Sequence, residues 1–206
     1  MASWVLGVFR DRSKKTMLHL FKSMVRERVQ YCSPLWNPVK RSDIELIEDV
    51  QRHFTSKIIC CRGMDYHSRL KHLKLLSLQR RRERFSIIHV WKILNNIVPN
   101  DLNLEFIKSA RNGIKVKLPS INRAALQSAQ TLYEHSFAVN AAKLWNIIPK
   151  EVSELVKLDP FKRKLGAFLD AFPDTPPSTG YVTANNNSLL EWHVSRPGGP
   201  LQRRPC

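Results

Sequence analysis

The 206-residue sequence predicts a mainly α-helical protein. Three observations carry that prediction. Apolar residues recur at three- and four-residue spacing in segment after segment. Capping residues and prolines punctuate those segments. Apolar–polar alternation of the kind a strand shows is confined to one short stretch near 111–119. Hydrophobic residues make up 43% of the chain, enough for a core and unlike a disordered or collagen-like composition. The longest apolar candidates, such as RERFSIIHVWKILNNIVP, are interrupted by charge and fall short of the roughly 18 residues a membrane span needs.

The first helix is expected from about Ser13 to Tyr31, with Met17, Leu20, Phe21, Met24, Val25 and Val29 on its apolar face. SPLWNP ends it, because Pro34 and Pro38 cannot both lie inside a helix and each restricts the residue before it. Trp36 between them is expected to fasten this turn. A second helix should begin at Ser42, which with Glu45 forms a capping box, and Gly63 should close it. Ile44, Ile47, Val50, Phe54 and Ile58 form its predicted buried stripe, while Asp43, Glu45, Glu48 and Asp49 complement the dipole from a solvent-facing side.

Asp65 is placed to cap a short helix over Tyr66 to Leu73. A longer helix follows from Ser77, with Leu78, Phe85, Ile88 and Trp91 on its apolar face, ended by Asn95, Asn96 and Pro99. Trp91 and Trp145, each in a helical stripe, read as core residues. The segment ARNGIKVKLP admits a small hairpin turning at Asn112-Gly113 or an irregular basic loop. Helical pattern resumes from Ser136 to Ile148, before Pro149. Asp159-Pro160 then reads as cap and first position of a last helix carrying Phe161, Leu165, Phe168 and Leu169. Beyond Phe172 the chain holds six of its twelve prolines and a run of three asparagines, which predicts a disordered tail over 173–206.

Charge is the strongest functional signal. Thirty-four Lys and Arg against 17 Asp and Glu give +17, which favours a polyanionic partner such as nucleic acid. The excess is concentrated within residues 69–92, where Arg69, Lys71, Lys74, Arg80, Arg81, Arg82, Arg84 and Lys92 face only Glu83. Arginines in the first turns of a helix oppose its dipole by a few tenths of a kcal/mol each. That opposition fits a surface kept for a partner, or a term that tertiary packing outweighs.

Motifs of catalysis are not found. The chain has no phosphate loop, dinucleotide fingerprint, zinc-protease helix or nucleophile elbow, and no aspartate pair between apolar strands to hold metal ions. Cys32, Cys60 and Cys61 with His53, His67 and His72 could be considered as metal ligands, but zinc sites usually present two Cys separated by two to four residues, whereas Cys60 and Cys61 are adjacent and point differently on a helix, so the thiols read as buried or spare and no metal site is expected. Four cysteines, two of them adjacent, make no disulfide framework, and the default location is reducing and intracellular.

From VRERVQYCSPLWNPVKRSDIELIEDVQRHFTSKI onward the sequence resembles the region downstream of the catalytic palm in reverse transcriptases of non-LTR (LINE-type) retrotransposons. The resemblance continues through YHSRLKHLKLLSLQRRRERFSIIHVWKILNN, SFAVNAAKLWNIIP and FKRKLGAFLD, covering roughly residues 3–170. It implies a small helical bundle, with a thumb-like region over 1–98, a mostly helical extension over 99–172, and the tail. It also implies that SWVLGVF near Met1 is the palm-to-thumb boundary. The palm aspartates, their Mg2+ and the fingers would then lie upstream, leaving a truncated fragment that binds no cofactor and does not polymerise on its own.

The partner implied is a template–primer duplex gripped through its phosphates without sequence readout. Arg80, Arg81, Arg82 and Arg84 would contact it first, with Lys71 and Lys74 next. Cys32, Trp36, Pro38, Trp145 and Pro149 would be structural, alongside the core Trp91. The alternative from another class is a helical interaction or architectural protein that does not touch nucleic acid.

Overall fold

A computed structural model describes residues 2–36, 38, 40–118, 133, 136–176 and 187–195. The protein is mainly α-helical with one two-stranded antiparallel hairpin. It divides into two compact units, Met1–Arg82 with Asp174–Asn187, and Glu83–Pro173 with Ser188–Cys206. That division falls inside a helix, between Arg82 and Glu83. No helix among the described residues is long and apolar enough to cross a membrane.

The first unit contains α1 (Ala2–Val8), α2 (Lys14–Leu20), α3 (Arg26–Gln30), α4 (Ser33–Trp36), α5 (Arg41–Ser56) and α6 (Tyr66–Leu73). It also holds the first residues of α7 (Leu78–Leu94). Ser13 caps α2 by accepting from the Thr16 amide. The rod is not one regular helix, because Phe21–Val25 widens into a π-helical stretch between α2 and α3. Cys32 takes a left-handed backbone (φ +50°) before the turn of α4, and the Trp36 indole donates to the Tyr31 carbonyl at 2.6 Å.

The capping box at Ser42 does not form. The helix begins at Arg41 with Lys40 as a cap lacking a side-chain bond, and Glu45 instead pairs with Arg41 at 2.9 Å. Nor does Gly63 close α5, which ends at Ser56. Buried Ile58 turns the backbone extended, and a 3-10 turn over Ile59–Cys61 follows, tied by the Ile59 amide to the Arg12 carbonyl at 3.1 Å. Asp65 caps α6 through the Ser68 amide at 3.1 Å. The apolar core of this unit gathers Val5, Met17, Leu20, Phe21, Val25, Phe54, Ile58, Cys61 and Leu73, with Phe21 and Phe54 ring centroids 5.3 Å apart.

The second unit continues α7 from Glu83 and adds β1 (Glu105–Ser109), β2 (Gly113–Lys117), α8 (Phe137–Asn146), α9 (Lys150–Ser153), α10 (Leu158–Asp170) and α11 (Leu189–Ser195). The hairpin alternative is the one the structure adopts, running from Glu105 opposite Lys117 to Ser109 opposite Gly113, so its first strand lies upstream of 111–119. Gly113 has φ +71°, and a Cβ there would meet the Ser153 hydroxyl at 2.6 Å, so only glycine fits the close approach. Ser136 caps α8 through the Val139 amide.

Pro149 precedes α9 and its carbonyl accepts the Val152 and Ser153 amides at 3.1 Å each. Helix α10 starts two residues early, at Leu158 with Lys157 as its cap rather than at Pro160 with Asp159 as cap, which places Pro160 in the first turn where its missing N–H costs nothing. Phe161 lies stacked against both Trp91 (centroids 5.3 Å) and Trp145 (6.1 Å). Each indole N–H is satisfied, Trp91 by the Leu155 carbonyl at 2.7 Å and Trp145 by that of Ile114 at 2.9 Å.

The disordered-tail prediction is corrected where the tail is described. Residues 174–176 and 187–195 are ordered, Asn187 and Leu189 are buried, and Leu189–Ser195 is helical. Proline counting missed this because two side chains, one amide and one apolar, suffice to dock the segment. The rest of the tail lies outside the described residues.

Candidate nucleic-acid interface

Helix α7 decides how the arginine run is used. No residue of Leu78–Leu94 is fully exposed, and the half-buried Arg81, Arg84, Phe85, His89 and Lys92 follow helical spacing along one side of it. Arg80 is 0% exposed and Arg82 2%, and the guanidinium of Arg80 donates to the Asn187 carbonyl at 3.2 Å. Arg81 is half-buried and donates to the Gln30 side chain at 3.2 Å. Arg84, also half-buried, reaches the Lys162 carbonyl at 3.4 Å, and burial lowers its pKa. Expectation and structure part here: Arg80 and Arg82 are internal and cannot reach a phosphate in this fold, while Arg81 and Arg84 are engaged with acceptors of the chain itself.

The backbone amides at the head of this helix meet a set of side-chain acceptors. Both oxygens of Glu48 accept the Leu78 amide, at 3.2 and 3.0 Å, and the Tyr66 hydroxyl donates to the same carboxyl. The Ser77 amide donates to Asp174 at 2.7 Å, and the Ser77 hydroxyl accepts the Arg80 amide at 3.0 Å. These groups satisfy orphan amides of the first turn and offset the dipole that the arginines oppose. Gln51 extends the network to the Tyr66 hydroxyl and the Leu76 carbonyl, each at 3.1 Å. The Tyr66 ring carries Arg52 and Arg69 at 5.3 and 5.6 Å from its centroid, a cation–π arrangement.

Glu48 is 0% exposed, which corrects its reading as a solvent-facing carboxylate. Burial pushes its pKa up to about 7; the Tyr66 and Leu78 hydrogen bonds and the Arg82 charge pull it down, and Asp174 raises it. The signal available in the sequence was a second stripe on α5, since Ile44, Glu48, Gln51 and Thr55 follow helical spacing and are all buried. Asp174 and Asn187 carried no local signal.

The lysines behave differently. Lys71 and Lys74 are exposed, on the last turn of α6 and its left-handed cap. Lys14, also exposed, donates to the His72 carbonyl at 3.0 Å and so joins them at the same helix end. Exposed Arg10, Lys15, Lys22, Arg28, Lys57 and Arg62 add to the basic surface of the first unit, against exposed Asp11, Glu27, Asp43 and Asp65. An open cleft of about 480 Å³, lined by Asp49, Arg52, His53, Ser56 and Arg69, lies in the same unit, but Asp49 already pairs with Arg52 there.

Cys32 is exposed and contributes a backbone turn rather than packing, whereas Trp91 and Trp145 are core. Trp36 is 39% exposed, and Pro38 is half-buried. Against expectation, Cys60, Cys61 and His72 meet, their ligand atoms all within 4.8 Å of one another. Cys32, His53 and His67 are not part of that cluster.

The chain matches no family model, no curated protein and no solved structure.

Proposed function

We propose that this chain is a duplex-holding helical piece of the non-LTR reverse-transcriptase type, binding nucleic acid through phosphate contacts without reading bases. The carrying observation is the exposed Lys14–Lys71–Lys74 group at the end of α6, within a unit whose exposed charges are mostly positive. The order of the four resembling sequence blocks supports the parent family. The contact surface moves, relative to the sequence reading, from the arginine helix to the lysines. Lysine acts on phosphate as a point charge, which suits a grip that must slide.

Burial of Arg80 and Arg82 favours a second reading, a helical interaction protein whose basic residues mainly organise its own interior. Salt titration separates the two. Binding of the full chain to an RNA–DNA duplex of arbitrary sequence should fall with a log–log slope of about −0.9 per phosphate neutralised, or about −2.7 for the three lysines. Lys71→Glu with Lys74→Glu should flatten that slope by about 1.8 and weaken binding equally for unrelated sequences. Affinity that ignores salt, or a double variant that binds as the parent does, establishes the second reading.

A further inference from the structure

We propose that Cys60, Cys61 and His72 form a zinc site with two thiolates and one imidazole from the protein and a fourth, solvent-facing position. The residues converge by two separate tethers. The 3-10 turn carrying both cysteines is pinned by the Ile59 amide to the Arg12 carbonyl at 3.1 Å, and the α6 end carrying His72 is pinned by Lys14 at 3.0 Å. Arg12 and Lys14 lie two residues apart, so the Arg10–Lys14 segment sets the distance between the two halves of the cluster.

Adjacent cysteines point apart on a regular helix, but Ile58 and Arg62 are extended on either side of the short turn. The two sulfurs lie 3.8 Å apart. Two sulfurs bound at about 2.3 Å to one tetrahedral ion would be separated by about 3.8 Å, so the thiols already span one edge of the polyhedron. The imidazole atom falls within 4.8 Å of both.

Donor type and charge select the ion. The cluster contains no carboxylate, which disfavours Mg2+ and Ca2+, and sulfur with imidazole suits zinc. Lys14 and Arg69 face Cys61 with positive charge, so a bare dication is unwelcome while a dithiolate complex of zero net charge is not. Each S–Zn bond forms as one thiol proton leaves to solvent, with no change of oxidation state. Cys60 and His72 are exposed and Cys61 is buried, which leaves the open position toward water.

Cobalt titration of the full, reduced chain tests the site. Thiolate-to-cobalt charge-transfer absorption and tetrahedral d–d bands should appear, saturate at one ion per chain and disappear when Zn2+ is added. Cys60→Ser and His72→Ala alter exposed side chains, so far-UV circular dichroism should be retained while cobalt affinity drops by at least about tenfold each. Cys32→Ser should change nothing. A folded chain that shows no charge-transfer band overturns the site. So does an affinity indifferent to His72→Ala, or a Cys32→Ser loss as large as that of Cys60→Ser.

Discussion

In the unit built on Glu83–Pro173, Phe161 lies against two buried indoles, whereas around the head of α7 in the other unit the buried side chains include Glu48, Arg80 and Arg82. One interior is held by dispersion and the hydrophobic effect, which need only shape and apolar area. The other depends on hydrogen bonds and charge, where an unmet buried polar group costs more than a met one contributes. The first should fail by loss of volume, the second by loss of one charge or proton.

Trp145→Ala offers the largest effect. It opens a cavity beside Phe161 and strips the Ile114 carbonyl of its donor, so denaturant unfolding followed by circular dichroism should show a loss of about 3–5 kcal/mol. The loss should be nearly independent of pH. A cost below about 1 kcal/mol would break the contrast between the units, since it would mean that the aromatic stack is not holding its side.

Glu48 should give the next effect, and its signature is pH. Its carboxyl has a folded pKa of about 7 against 4.5 for the free group, so the folded state holds the proton more tightly. The stabilisation from the neutral acid is complete below about pH 4.5 and is lost as pH rises through about 7, by about 3 kcal/mol in all. Glu48→Gln keeps an oxygen for the Leu78 amide and removes the titration. Its stability curve should therefore be flatter than the parent's across that window. A parent and variant with parallel curves would show that Glu48 is not buried as an acid.

The smallest effect sharpens the comparison by abolishing it. Ser13→Ala and Ser136→Ala each delete one helix cap, one in each unit, and each should cost about 1 kcal/mol in thermal or denaturant unfolding. A cap acts on its own first turn, so these two losses should agree within about 0.5 kcal/mol whatever the surrounding interior.

Legibility in the sequence follows the same divide. The Asp65 cap, and the cores around Trp91, Trp145 and Phe161, were readable because periodicity and capping are local and apolar burial is the common fate of such residues. Glu48 and Arg80 misled, because a charged side chain in a sequence reads as surface unless its partner is visible, and Leu78, Asp174 and Asn187 are 30 or more residues away. Cys60 and Cys61 meet His72 only after the chain has turned through α6, so ligand spacing along the sequence could not reveal them. The π-helical stretch at Phe21–Val25 preserves the apolar face it interrupts, and periodicity passed over it.

Asn146 has a consequence for how the protein meets its own copies. Its side-chain amide both accepts from and donates to the Val116 backbone at 2.8 Å, taking the two bonds that a neighbouring strand would have made with the middle of β2. A two-stranded ribbon left open there would invite edge-to-edge growth into aggregates. With the asparagine in place, the Val116 backbone of β2 is closed to strand addition.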